Sequence, residues 1–231
     1  MKVPVRSLMR GSENSKTAVI EIMKDKEKRV KAILFDLGKV IVNYDVGLLE
    51  DGYSAYGSVP KGVMNDYIMK SDIGKSYMEG RINSSKFFYK TYRYFKLRIK
   101  YAEFYQVWNS IFSPYPEVEG IIRGIRRIYP DVRLILVSDT NEAHFEFIQK
   151  EYSVLGLMDH RVLSYKVGRM KPHPDVFKEA IRLAGAAAKE ILYVDDRFDL
   201  IEAARTMGLC AYQFMGHVQL RDQLKKFNIN V

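Results

Sequence analysis

The stretch Ala32-Ile33-Leu34-Phe35-Asp36-Leu37-Gly38-Lys39-Val40-Ile41-Val42 decides the fold. Four apolar residues run without interruption into a carboxylate. A strand with one wet face would alternate apolar and polar residues. This one does not, so both its faces are buried, as in a parallel sheet covered by helices on each side. Asp36 stands where the strand stops, and in open parallel sheets ligands collect at the carboxyl ends of strands. A carboxylate there can ligate a metal, act as a nucleophile or cap a turn, and the stretch alone does not choose among the three.

The rest of the chain does. From Glu117 onward, helical and strand patterns alternate. Glu117 to Ile128 is amphipathic, with Val118, Ile121, Ile122 and Ile125 on one face and Arg123, Arg126 and Arg127 on the other. Val132 to Val137 is a second apolar strand, ending at Ser138-Asp139-Thr140-Asn141. Phe145, Ile148 and Tyr152 mark the helix after it, and Arg161-Val162-Leu163-Ser164 is a short strand. Pro174 suits the first turn of a helix that Gly185 ends, with Lys171-Pro172-His173 just before it. Ile191 to Val194 is another buried strand, running into Asp195-Asp196, and Cys210 to Phe214 is the last. Strands alternating with helices predict right-handed parallel crossovers and a doubly wound α/β sheet.

Between the first strand and this regular part, residues 45–116 change character. Aromatic and basic residues become dense at helical spacing. Asn83 is placed to cap a helix with the stripe Phe88, Tyr92, Phe95 and Ile99, and a second stripe runs through Phe104, Val107, Trp108 and Ile111. The expected organisation is therefore an N-terminal extension over 1–30, an α/β core from 31–44 and 117–231, and a small helical insert over 45–116. Within the extension, Lys16 to Arg29 suits either a helix capped by Ser15 or a strand. Met23 is a plausible natural start.

Composition narrows the setting. The chain has 231 residues, 47% of them hydrophobic, enough for one sizeable core. No apolar run reaches the roughly 20 residues of a membrane span, and the first 31 residues lack a secretory apolar stretch. The single cysteine, Cys210, cannot form an internal disulfide, so a cytoplasmic home is expected. A net charge of +9 favours anionic partners. With no nucleic-acid motif present, phosphorylated metabolites are expected rather than nucleic acid, with neither membrane nor protein partner beyond a monomer or homodimer.

Three apolar strands thus end in Asp36, Ser138 and Asp195-Asp196, with Lys171 at the start of a neighbouring helix. Clustered carboxylates repel one another unless a cation neutralises them. Oxygen-only donors, without histidine or thiolate, favour Mg2+ over zinc. A lysine and a serine beside them suit a tetrahedral anion, the equipment for phosphoryl transfer through a carboxylate nucleophile.

On these residues the chain resembles the haloacid dehalogenase superfamily of phosphohydrolases, over Lys31 to about Phe214. Phe35-Asp36-Leu37-Gly38, Val137-Ser138-Asp139-Thr140-Asn141, Lys171-Pro172 and Tyr193-Val194-Asp195-Asp196 match its four motifs in order. The insert resembles its helical cap, with Glu79-Gly80-Arg81-Ile82-Asn83 as a cap turn. The resemblance implies that Asp36 attacks phosphorus to form an aspartyl phosphate. It implies that Asp36, the Gly38 carbonyl and Asp196 ligate Mg2+, with Asp195 orienting from behind. Ser138 and the Asp139 main-chain N–H would hold phosphoryl oxygens, and Lys171 would offset charge.

One departure stands out. Most phosphatases of the family carry an acid–base aspartate two residues after the nucleophile, where this chain has Gly38. Such a group typically contributes ~10²–10⁴-fold. Either the substrate has a good leaving group, or another group such as Asp45 or a metal water substitutes, or the protein binds phosphate esters and barely turns over. A sugar-phosphate phosphatase branch that also carries Gly here resembles Asp36-Leu37-Gly38-Lys39-Val40-Ile41-Val42, which favours an active enzyme. A 2-haloacid dehalogenase, needing neither metal nor leaving-group acid, is a further alternative that the Asp195-Asp196 pair argues against.

Overall fold

The computed structural model describes residues 30–231. The expectations for Lys16 to Arg29 and for Met23 lie outside the described residues. The central sheet has five parallel strands: β1 (Ala32–Phe35), β4 (Arg133–Ser138), β5 (His160–Leu163), β6 (Ile191–Asp195) and β7 (Cys210–Gln213). Their spatial order is β5-β4-β1-β6-β7. The chain leaves β1, builds outward through β4 and β5, then crosses back to build β6 and β7 on the other side. The three strands that carry the polar ends are therefore neighbours, β4 and β6 flanking β1 in register.

Alternate residues of each strand face opposite layers. Ile33, Phe35, Leu134 and Leu136 join Ile121, Ile125 and Ile148 on one side, and Ala32, Leu34, Ile135 and Val137 join Phe177, Ala180 and Ile201 on the other. Both faces of β1 are fully buried, which is what its uninterrupted apolar run required. The amphipathic helix at Pro116–Ile128 buries the four apolar residues expected of it. One strand differs from the sequence reading: β5 begins at His160, and Ser164 opens a short helix, Ser164–Val167.

Residues between the first and second core strands form five helices: Gly47–Ser54, Val63–Lys70, Asp72–Met78, Ser84–Tyr94 and Tyr101–Asn109. They enclose a separate, strongly aromatic cluster that includes Tyr53, Tyr77, Phe87, Phe104 and Trp108. Asn83 caps the fourth helix as expected, its Oδ1 accepting from Lys86 N at 2.9 Å. The expected stripe holds in part: Phe95 and Ile99 are buried in the cluster and Phe88 packs against it, but the helix's own inner face is another one. Phe87 and Thr91 are buried, while Tyr92 is exposed, and the helix ends at Tyr94, before Ile99. In the next helix Phe104 and Trp108 face inward as read.

Two short strands that the sequence did not suggest frame these helices. β2 (Val42–Tyr44) pairs antiparallel with β3 (Phe112–Pro114), so the chain leaves and re-enters the core through one ribbon. The ribbon is anchored to the turn after β1 by Lys39 N to Val42 O at 2.6 Å and Val42 N to Leu37 O at 3.0 Å.

Candidate active site

The turn after β1 places Asp36 at the centre of the carboxyl edge of the sheet. Its own N–H donates to Val194 O at 2.9 Å, tying it to β6. Lys171 reaches it from the loop before the helix Pro174–Ala184. The Lys171 ammonium donates to Asp36 Oδ1 at 2.6 Å, Asp195 Oδ2 at 2.8 Å and Val137 O at 3.3 Å, which uses all three of its hydrogens. The Lys171 main-chain N–H donates to Asp139 Oδ1 at 2.8 Å. His173 acts only at the helix start, where its Nδ1 accepts from Asp175 N at 3.3 Å.

Asp195 is fully buried. Its Oδ2 also accepts from Tyr193 Oη and its Oδ1 from Arg197 N at 2.9 Å. Both its oxygens are thus held by protein donors. Asp196, one residue on, is half-buried. Asp36, Asp195 and Asp196 each offer an oxygen within 4.8 Å of the other two. The hydrogen bonds of the turn run through Leu37 O and Val42 O, which leaves the Gly38 carbonyl free of them. Ser138, at the last position of β4, is buried beside the same space.

The electrostatics follow from this crowding. Burial pushes Asp36 up to about 7, against the pull of Lys171 and with a further push from Asp195. Burial likewise raises Asp139, whose Oδ2 is buried without a partner among the described residues. Asp196 is raised by burial and then by Asp195. Burial alone would lower Lys171, but the negative groups around it, Asp36 foremost, hold it well above its ordinary value. A site with three carboxylates and one ammonium is short of positive charge. Its donors are all oxygens in a compact array, which fits a small hard dication such as Mg2+.

These groups floor a cavity of about 410 Å³ whose far wall comes from the helical insert, through Val46, Asn65, Ile68, Met69, Met78 and Ile111. Three residues to which the sequence reading gave no such role fasten that wall to the core. Trp108 Nε1 donates to Asn141 Oδ1 at 3.3 Å, and His144 Nε2 lies 2.9 Å from Trp108 O. A carbonyl can only accept, so Nε2 carries the proton and Nδ1 accepts from Asn141 Nδ2 at 3.1 Å. Burial lowers His144 to about 3, keeping it neutral. Beside them, Ser164 Oγ donates to Met78 O at 2.7 Å and accepts from Thr140 N at 2.9 Å. Gly80, at φ +67°, lies so close to the core that a Cβ there would sit 2.1 Å from Tyr165 O.

Gly38 has its own neighbour. A Cβ there would lie 2.6 Å from Cε1 of Tyr44, so the tyrosine ring fills the space a side chain would need. Burial and the carboxylates of Asp196 and Asp36 raise the Tyr44 phenol, which keeps it protonated. Asp45, offered above as a substitute acid, is directed elsewhere: it is exposed and accepts from Gly47 N at 2.8 Å.

Sequence comparison decides the family. The profile of the haloacid dehalogenase-like hydrolases matches residues 30–208. The chain belongs to that family. It is 25% identical to the D-ribitol-5-phosphate phosphatase of Bacteroides thetaiotaomicron, over 84% of this chain and 97% of that one. Its fold is that of a haloacid dehalogenase-family enzyme from the same organism solved with magnesium and inorganic phosphate (TM-score 0.70, 21% identity, 82% of this chain, 98% of that one). A HAD-like hydrolase of Porphyromonas gingivalis is similar too (TM-score 0.68, 23% identity, 80% of this chain, 90% of that one). Among the described residues, no helix is long and apolar enough to cross a membrane.

Proposed function

We propose that this hydrolase is a Mg2+-dependent phosphatase of a small phosphorylated metabolite, acting through an aspartyl phosphate on Asp36. The observation that carries the reading is the Asp36–Lys171 pair, set beside Asp195 and Asp196 on the floor of a cavity between the sheet and the helical insert. Asp36 and Asp196, with the Gly38 carbonyl, would hold the ion. Bound there, Mg2+ supplies the positive charge that lets carboxylates and a phosphate dianion share one site.

The remaining roles belong to the chain. An oxygen of Asp36 attacks phosphorus, the bond to the ester oxygen breaks, and the alcohol departs with a proton. Water then cleaves the aspartyl phosphate and regenerates the carboxylate. Lys171 holds Asp36 in place and offsets charge as the phosphoryl group arrives. Ser138 and the Asp139 N–H would bind phosphoryl oxygens. Asp195, its own oxygens occupied by Lys171, Tyr193 and Arg197, orients Lys171 from behind. Residues 45–116 act as the cap that closes over the substrate on the core of 31–44 and 117–231. A sugar or sugar-alcohol phosphate is the first substrate class to test, D-ribitol 5-phosphate being the substrate named for the curated relative. The lone cysteine supports a reducing, cytoplasmic setting.

The test is phosphate release from an aryl phosphate and from a panel of sugar phosphates, with and without Mg2+. Asp36→Asn and chelation should each lower turnover by at least about 10³-fold. Release that survives either one would overturn the proposal.

A further inference from the structure

Expelling an alkoxide from a phosphate ester is slow unless the departing oxygen meets a hydrogen-bond donor. Four side chains around this cavity are committed to protein partners, while Lys39, Asn65, Ser138 and Thr140 also line it and make no side-chain hydrogen bond among the described residues, so the choice of donor rests on placement over Gly38. The Lys171 hydrogens go to Asp36, Asp195 and Val137 O. Asn141 and His144 are tied to each other and to Trp108. The Arg197 guanidinium pairs with Asp199 at 2.6 Å.

Tyr44 is placed differently. A Cβ on Gly38 would lie 2.6 Å from its Cε1, 3.0 Å from Cδ1 and 3.8 Å from Cζ, the carbon that bears the hydroxyl. The ring therefore stands over the second residue past Asp36, on the wall of the cavity. Its backbone is fixed by the β2–β3 ribbon, where Tyr44 pairs with Phe112. Its ring meets Phe112 edge-on at 6.5 Å, and Lys39 Nζ lies 5.3 Å from its centroid. The residue is 36% exposed and lines the cavity.

We propose that Tyr44 donates the hydrogen bond that stabilises the departing ester oxygen, from the space that a side chain at position 38 would otherwise occupy. This rests on the phosphatase reading above. As an Asp36 oxygen bonds to phosphorus, the P–O ester bond breaks and its electron pair stays on the ester oxygen. That alkoxide is held by the Tyr44 O–H and takes its proton from a cavity water, the hydroxide left behind attacks phosphorus of the aspartyl phosphate and returns the Asp36 carboxylate, and the phenol keeps its own proton. The same hydroxyl contributes little when the leaving group is already stable as an anion.

Tyr44→Phe keeps the ring over Gly38 and its contacts with Phe112 and Lys39, and removes only the O–H. The enzyme and this variant are compared on p-nitrophenyl phosphate, whose leaving group needs no donor, and on an alkyl phosphate such as D-ribitol 5-phosphate. Removing one donor of this kind typically lowers kcat by ~10²–10³-fold, and that loss is expected on the alkyl ester alone, with a change under about threefold on the aryl ester. Equal losses on both esters, or no loss on the alkyl ester, would overturn the proposal. A wild-type enzyme that hydrolyses neither ester sinks the phosphatase reading and this role with it. Hydrolysis of both that is indifferent to Tyr44→Phe sinks this role alone. A second variant checks the shared space: adding Gly38→Asp to Tyr44→Ala should recover alkyl-ester turnover relative to Tyr44→Ala, and failure to do so counts against it.

Discussion

Mg2+ and a proton should compete for Asp36. Burial pushes this carboxyl from its ordinary 3.8 up to about 7, so the metal-free site holds a proton at pH 6 that it has largely lost at pH 8. A cation drawn to the carboxylate must displace that proton. Below about pH 7 the Mg2+ affinity should therefore fall about tenfold per pH unit, ~1.4 kcal/mol each. From pH 8 to pH 6 the ionised fraction of a group with this value drops from roughly ten elevenths to one eleventh, a tenfold loss overall. Asp196 is raised as well, which steepens the acid end. The sign for folding is the reverse of the usual carboxylate case. The folded value lies above the unfolded one, so the metal-free protein loses stability as pH rises through about 4 to 7, and Mg2+ restores it. Titration calorimetry in two buffers of unlike ionisation heat would measure both quantities. About one proton should leave per ion bound at pH 6 and almost none at pH 8. A Mg2+ affinity that is flat between these values, or binding at pH 6 without proton release, would refute the reasoning.

Two further outcomes are expected. Gly80→Ala forces an L side chain to φ +67° and sets its Cβ 2.1 Å from Tyr165 O. It should cost about 1–3 kcal/mol in urea unfolding, and an unchanged midpoint would show that the turn does not bear on the core. His144 is held down to about 3 against an ordinary 6.5, so the unfolded chain takes up a proton that the fold refuses as pH falls below 6.5. The stability gap between wild type and His144→Gln should narrow by about 2–3 kcal/mol from pH 7 to pH 4.5, and a constant gap would mean that the ring protonates in place.

The core was legible because burial on both faces leaves a plain mark. β1, β4 and β6 are apolar runs ending in polar groups, and the alternation of helix and strand predicted a parallel sheet, while their adjacency is seen only in the structure. Asp36, Ser138 and Asp195 were readable as candidates for the same reason, each being the first polar group after such a run. The insert was harder. Phe87 and Phe88 are adjacent aromatics on one helix, and a spacing argument anchored on the second misses the fully buried Phe87 and Thr91 and includes the exposed Tyr92, though Phe88, Phe95 and Ile99 do meet the cluster. β2 and β3 have three residues each, too few to show any period. The link between Asn141, His144 and Trp108 joins residues 33 and 36 positions apart, and no local pattern announces it. One contact was readable and went unread: Tyr193 and Asp195 are two apart on a strand, which puts both side chains on one face and lets the phenol donate to the carboxylate.

The paired strands at the neck of the insert have a mechanical consequence. Both chain passages between the five helices and the sheet run through three residue pairs bonded side by side, so the covalent connection lies along a single line, while the hydrogen bonds from Trp108 to Asn141, from His144 to Trp108 and from Ser164 to Met78 fasten the insert a second time. Tilting about that line requires those bonds to break. The line also ends in the hydrogen bonds from Lys39 N to Val42 O and from Val42 N to Leu37 O, within one turn of Asp36. Any tilt of the insert is thus levered directly onto the loop that carries Gly38.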